Sequence, residues 1–364
     1  MRLLVTGTFA RYVGRRFLAA VAAVFLGIFV LIVLLDYIEM TRRTASIPNI
    51  PAWMVAATSL YRVPQITERL LPFSVLIGAM TAYLNLSRRN ELVIARAAGM
   101  SAWQFIAPTV AIAFVLGIVA AVVYNPLAAT FGERAKRYEA LIFGSQSAPT
   151  TGTKYWIRQR SGDGQSILHA ATSREQGAVL AGITVFTFDP EGRFSERIEA
   201  ETARLEPGHW RLEGARIYNP NAPPQEVPVY LLATNLNSEQ VRESFATPET
   251  VSFWQLPQYI QLAERAGLVA SGYRLQYQSL LARPFMLAAM VLLAAAVSLR
   301  FFRFGGVQRM VLSGIAGGFL LYVLAKVTED LGKAELIHPI AAAWLPALVG
   351  SVTGIMALLF QEDG

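Results

Sequence analysis

The spacing of its apolar runs limits what this chain can fold into more than any other feature. Residues 17–35 make 19 consecutive positions without a charge. At 1.5 Å per residue such a run crosses roughly 30 Å of hydrocarbon as a helix. Runs at 70–86, 102–124, 280–299, 310–327 and 339–360 have similar character. The third and fourth are separated by 126–275, which contains no such run. The expected fold class is therefore a membrane α-helical protein with six transmembrane helices and an inserted domain. The expected division is 1–125 for spans one to three, 126–275 for the insert and 276–364 for spans four to six. A charge at the centre of a span costs roughly 2.5–3.5 kcal/mol on insertion scales. Arg283 and Lys326 are accordingly expected near the ends of their spans. The first run is too long for a signal peptide, and no small-residue cleavage site follows it.

Charge fixes the orientation. Only 16% of residues are charged, against about 25% in soluble domains. The insert carries 15 basic and 16 acidic residues, so the net charge of +7 belongs to the membrane part. Nucleic acid is not needed to explain it. Arg2, Arg11, Arg15 and Arg16 precede span one; Arg88, Arg89 and Arg96 follow span two; Arg300, Arg303 and Arg309 follow span four. By the positive-inside rule these three sites are cytoplasmic, and 126–275 is outside.

The insert reads as β. "KYWIRQR", "GITVFTF", "AETARLE" and "WRLEGARIY" alternate with the turn signals "SGDGQ", "DPEGR" and "PGH", which suggests a sandwich or open barrel of antiparallel strands. Its last part, "SFWQLPQYIQLAERAG", places Phe253, Leu256, Ile260, Ala263 and Gly267 at helical spacing. Ser252 and Gln255 form a possible capping box, and Pro257 favours a later start.

Catalytic chemistry is sparse. The chain has no cysteine, so thiolate metal sites and cysteine nucleophiles are excluded. His169, His209 and His338 fall in no metalloprotease motif, and neither a nucleophile elbow nor a phosphate-binding loop is present. Work done by such a chain draws its energy from a partner. Gly314/Gly318 and Gly350/Gly354 allow close helix approach, within the chain or across a dimer.

The stretch 86–101, "LSRRNELVIARAAGMS", is long for a turn between spans. Ser87 or Asn90 can cap a helix, Glu91 suits its first turn, and Gly99 ends it in a left-handed cap. Leu92, Ala95 and Gly99 share one face. A short cytoplasmic helix over about 87–99 is expected, either interfacial with snorkelling arginines or a knob docking into a partner with Glu91 as its charged pin.

Residues 63–101, "VPQITERLLPFSVLIGAMTAYLNLSRRNELVIARAAGMS", resemble the signature of the lipopolysaccharide-export permease family LptF/LptG. Pro64, Pro72, Glu91-Leu92 and Ala98-Gly99 carry the match. "IHPIAAAWLP", "LEPGHWRLEGARIY" and "YIQLAERAG" resemble it too, so the resemblance covers nearly the whole chain. "LLDYIEMTRR" is similar to the first-span exit of the LptG branch, with Glu39, Arg42 and Arg43 where that branch tends to carry lysines. The resemblance implies six spans and a periplasmic β-jellyroll. It implies pairing with a paralogous LptF-like permease, two copies of a cytoplasmic LptB-like ATPase on the coupling helices, and a single-span periplasmic LptC-like protein. The substrate implied is lipopolysaccharide, extracted from the inner membrane of a Gram-negative bacterium. ATP and Mg2+ would be bound by the ATPase, and no cofactor by this chain. The coupling role falls on Glu91, with Arg88, Arg89, Leu92, Ala98 and Gly99 around it.

Arg42, Arg43, Arg62, Arg69, Arg274 and Lys326 lie near outer span ends, against the positive-inside trend. Guanidinium–phosphate bonds to lipid A would account for them, with Arg42, Arg43 and Lys326 expected around a cavity between spans one and five. Local pairing to Glu39, Glu68 or Asp330 is the alternative. Two other functions are compatible with the chain: an envelope scaffold that moves no lipid, and a permease of the lipoprotein-release type, for which four spans are expected.

Overall fold

The structure is a computed structural model and describes residues 2–45, 47, 50–143, 155–161, 164–174, 179–189, 193–219, 223–234, 248–265, 270–302 and 307–362. Two compact units result. Residues 1–142, 249–254 and 271–364 form a helical unit, and 143–248 with 255–270 form a β unit. Arg303 and Gly267, used in reading the sequence, lie outside the described residues.

Six helical stretches are long and apolar enough to cross a membrane, in agreement with the six runs. They comprise α1 (Arg2–Thr44), α2 (Ala52–Arg88), α4 (Ala102–Val119) continued by α5 (Asn125–Phe143), α7 (Ser271–Phe302), α8 (Val307–Lys333) and α9 (Pro339–Glu362). The short α3 (Glu91–Ala97) follows α2, and α6 (Leu256–Arg265) follows the sheet. α7 is central, packing on α9, α4, α2 and α8, while α1 packs on α2 and α4. Val13 and Phe17 of α1, Leu76 and Tyr83 of α2, Phe105 and Ile106 of α4 and Leu287–Ala296 on α7 share one core.

Lipid tails are as apolar as the side chains, so helices associate through close packing at small residues. A Cβ at Gly117 would overlap the backbone of Pro284, joining α4 to α7. At Gly314 and Gly318 it would meet Met80 and Leu76 of α2; at Gly350 and Gly354 it would meet Leu321, Ala289 and Leu292. Both glycine pairs therefore serve contacts within the chain.

The third span does not stop at 125. A π-helical segment, Ala120–Tyr124, carries it into α5, which continues to Phe143. Pro126 looks like a boundary in sequence, but it stands in the first turn of α5, where a missing N–H is tolerated. The Val122 carbonyl one turn back accepts a hydrogen bond from Trp254 Nε1 at 3.2 Å instead. Pro257 is accommodated in the same way, at the second position of α6.

The β unit contains β1 (Tyr155–Ser161), β2 (Gly164–Arg174), β3 (Val179–Phe188), β4 (Phe194–Glu206), β5 (His209–Tyr218) and β6 (Gln225–Ala233), all antiparallel and paired in chain order. Among the described residues this is a meander. It lacks the crossovers that set non-consecutive strands side by side in the jellyroll implied by the resemblance. Burial switches parity along a line across the sheet: Leu180 then Ile183 in β3, Ala200 then Ala203 in β4, Leu212 then Ala215 in β5. Gly182 and Gly214 lie on that line with φ of 63° and 64°. Each takes a left-handed backbone conformation, open to glycine, where the buried face of its strand changes, while the pairing register runs unbroken through both positions. Gln159 of β1 reaches the far edge, donating to the Ala233 carbonyl at 3.2 Å and accepting from Trp210 Nε1 at 3.3 Å. The sheet is curled over the core around Trp210, Leu168 and Ile198.

Candidate coupling turn and charged pocket

At the C-terminal end of α2, the Asn90 N–H bonds the Ser87 carbonyl at 2.9 Å, and Asn90 turns the chain with φ of 57°. Asparagine is among the few residues that tolerate this conformation. The expected helix over 87–99 is shorter than its motif: Ser87 is buried in the last turn of α2, and only Glu91–Ala97 is helical. Gly99, at φ 82°, closes it, with Ala98 N–H to the Ile94 carbonyl at 3.0 Å and Met100 N–H to the Ala95 carbonyl at 3.1 Å. The last is the six-to-one bond of a Schellman motif. Space around Gly99 is open, so φ alone demands glycine there. Leu92 lies within α3. Ala95 is buried, whereas Ile94 is 66% exposed, and Arg88, Arg89, Ala98 and Gly99 are exposed.

The Glu91 carboxylate is engaged from another helix. Its Oε1 accepts a hydrogen bond from the Tyr12 hydroxyl of α1 at 3.0 Å, and its Oε2 is buried with no partner among the described residues. The Arg16 guanidinium lies 5.1 Å from the centre of the Tyr12 ring.

Near the other end of α2 is a pocket of about 210 Å³. Its apolar lining includes Phe73, Met286 and Tyr322, and its charged lining Glu68, Arg69, Arg283, Lys326, Glu249 and Glu329. The Glu68 side chain is only 7% exposed and pairs with the Arg283 guanidinium. Asn125 Nδ2 donates to both Glu68 oxygens at 3.0 and 3.3 Å. Arg283, expected near the end of its span, lines the same pocket. It is held at 15% exposure by a buried partner, which is how ionisable groups persist inside membranes.

The segment 249–254, returning from the sheet, is fastened here. Phe253 N–H donates to Asn125 Oδ1 at 2.9 Å, Gln65 Nε2 to the Glu249 carbonyl at 3.1 Å, and Phe253 stacks on Tyr277. The Glu249 carboxylate meets Lys333 Nζ at 3.1 Å and Arg69 at 3.7 Å. Burial pushes the Glu249 carboxyl upward, but the hydrogen bond and charge of Lys333, with help from Arg69, hold it below its ordinary value.

The expected lipid-binding cations divide. Arg69 and Lys326 line the pocket, Lys326 resting on Asp330 at 2.9 Å. Arg62 instead clamps α1 and α5 to α2 through Asp36 at 3.5 Å and Glu139 at 3.2 Å. Arg42 and Arg43 are exposed and paired with Glu39 at 2.9 and 2.8 Å. Arg274 lies in the first turn of α7 and is also engaged. The pocket described here is not the one expected between spans one and five. The pocket holding Lys326 is bounded by α2, α7, α8 and α9, while α1 packs on α2 and α4. Tyr12, Glu68, Asn125 and Glu249 were not singled out from sequence as site residues. An acid such as Glu68 inside a long apolar helix was the available signal.

The family described as lipopolysaccharide export system permease LptF/LptG matches residues 11–359. The chain is 24% identical over 353 residues to the lipopolysaccharide export system permease protein LptG of Escherichia coli strain K12, covering 94% of this chain and 95% of that one. It is also 24% identical, over 374 residues, to the protein of the same name from Haemophilus influenzae, covering 97% of this chain and 96% of that one.

Proposed function

The chain belongs to the lipopolysaccharide export system permease family LptF/LptG, and on that premise we propose that it is the LptG-type subunit of an ABC transporter. It draws lipopolysaccharide from the inner membrane of a Gram-negative bacterium and passes it toward the outer membrane. The observation that carries this reading is the match across 11–359 on a chain with six spanning helices. The chain is a transport subunit. A cytoplasmic LptB-like ATPase, two copies per complex, binds and hydrolyses ATP with Mg2+. A paralogous LptF-like permease completes a heterodimer, and a single-span periplasmic LptC-like protein joins the complex. Six spans disfavour the lipoprotein-release arrangement.

In this reading the turn at Glu91 faces the ATPase, and the β unit lies in the periplasm. From Arg69 to Arg88 is 19 residues of one helix, about 28 Å at 1.5 Å per residue, close to the hydrocarbon thickness. Pocket and turn thus belong to opposite membrane faces. Arg69 and Lys326, with Arg42 and Arg43 on the exposed end of α1, offer cations to lipid A phosphates. The decisive test is reconstitution: vesicles holding the chain, its paralogue and the ATPase should release lipopolysaccharide to an acceptor only when ATP is hydrolysed. No release while all subunits assemble would favour the scaffold, and release independent of ATP would contradict the transporter reading. Orientation follows from single cysteines labelled with an impermeant reagent in spheroplasts, Glu213→Cys reacting and Arg89→Cys protected.

A further inference from the structure

We infer that Tyr12 is a positioning residue for Glu91, anchoring the coupling carboxylate to α1 across the fold. The inference rests on Glu91 being the group that meets the ATPase. Glu91 opens a helix of seven residues, far below the roughly 12–15 at which an isolated helix becomes stable in water. Joints bound it at both ends: Asn90 with φ of 57° and Gly99 with φ of 82°. Such an element takes its orientation from tertiary contacts, and two are visible. Ala95 is buried beneath it, and the Tyr12 hydroxyl donates to Glu91 Oε1 at 3.0 Å from 79 residues away in sequence.

The two sides of that bond differ in mobility. Tyr12 is followed on α1 by Val13 and Phe17, both fully buried in the helical core, so its backbone is fixed. Its ring is held from the side by Arg16 at 5.1 Å, a cation–π arrangement. The phenol therefore fixes the carboxylate, rather than the reverse.

What the bond leaves over matters as much. A carboxylate is an acceptor only, with capacity for several donors. Tyr12 supplies one to Oε1, while Oε2 is buried without any among the described residues. An under-satisfied carboxylate is unfavourable until a further donor reaches it. A guanidinium from the partner ATPase has the fitting chemistry, since it binds carboxylates through two parallel N–H groups. With Tyr12 in place, Oε1 is already held and the orientation of the pair of oxygens is preset for that donor. The same helix reaches Asp36, whose Oδ1 contacts Arg62 at 3.5 Å. α1 thus links the coupling turn to the clamp on α2 and α5 through one unbroken element.

The experiment is a double-mutant cycle in the intact complex, in lipid nanodiscs, with Tyr12→Phe, Glu91→Gln and both together. It reads ATP-driven lipopolysaccharide release and the Kd of the ATPase subunit for the permease pair, with the thermal midpoint as a fold control. Tyr12→Phe removes only the hydroxyl. It should weaken ATPase binding roughly tenfold, the scale of one charge-assisted hydrogen bond, leave the thermal midpoint unchanged, and add nothing on the Glu91→Gln background. Wild-type release in Tyr12→Phe beside an impaired Glu91→Gln would overturn the inference and spare the coupling role. Fully additive effects would overturn it as well, since Tyr12 would then act independently of Glu91. A neutral Glu91→Gln would remove the coupling role itself and the inference with it.

Discussion

The two ends of α2 handle charge in opposite ways. In the pocket, each acid has a cation and the buried ones have more than one donor: Glu68 takes Arg283 and Asn125, Glu249 takes Lys333 and Arg69. At the Glu91 turn, among the described residues, Glu91 has a single phenolic donor and a buried oxygen without one, on a seven-residue helix between two left-handed joints. A satisfied network rigidifies its surroundings, whereas a partly satisfied one is complete only with a partner. The pocket end reads as a self-contained brace that fastens the returning 249–254 segment to spans two to five, and the turn as a socket half.

The largest expected effect follows from breaking the brace. Glu68→Ala strands the Arg283 charge, and removing one partner of a buried pair costs about 3–5 kcal/mol. Thermal unfolding in nanodiscs should show a much lower midpoint, and Glu68→Leu combined with Arg283→Met should recover most of it. If Glu68→Ala unfolds like the wild type, the two ends do not differ as described. A smaller loss is expected from Gly117→Val, which drives α4 against the Pro284 backbone beside Arg283. Overpacking of this kind costs typically 1–3 kcal/mol. By contrast Gly27, with nothing within 4 Å of an added Cβ, should accept alanine without loss.

Acidification should loosen the brace. The Glu249 carboxyl is held below its ordinary value of 4.5 in the folded state, so its contribution is fully present above pH 4.5 and is lost as pH falls through the lower, folded value. Protease sensitivity of the 249–254 segment should rise in that window, and Glu249→Gln should make it sensitive at neutral pH. A Glu249→Gln segment as well protected at neutral pH as the wild type would show that the Glu249 charge fastens nothing. The smallest effect on stability is expected from Arg42→Ala with Arg43→Ala. Their ion pairs with Glu39 are exposed, and such pairs contribute little to folding. Any function these arginines have should appear instead as loss of lipopolysaccharide capture by photocrosslinkers at 42 and 43, with the thermal midpoint unmoved.

Features with a one-dimensional signature were legible in the sequence: six apolar runs, the Gly99 cap, the glycine pairs and the strand–turn alternation of the insert. What escaped was set by three-dimensional proximity. Pro126 looks like a stop until Trp254 Nε1 is seen on the Val122 carbonyl. Arg283 shows no partner in the sequence until Glu68, 215 residues away, is placed beside it. Strand alternation in 179–218 is shifted by one residue at Gly182 and Gly214, so period-two counting loses the crease that curls the sheet. Arg69 and Lys326 share a pocket, as their places at outer span ends suggest, but Arg62 is spent on Asp36 and Glu139, a pairing that spacing alone does not reveal.

The central claim is that Glu91 is a socket completed by an ATPase cation. Charge reversal tests it most directly, as ATP-driven lipopolysaccharide release by the reconstituted complex. Glu91→Arg should leave the permease inserted and thermally stable yet abolish most release, because truncating one side of such a desolvated pair already costs roughly 2–5 kcal/mol and reversal adds repulsion. An acid in place of the facing arginine on the ATPase should restore part of it. Release at the wild-type rate from Glu91→Arg would contradict the claim and leave Glu91 as a surface charge on a turn that couples by shape.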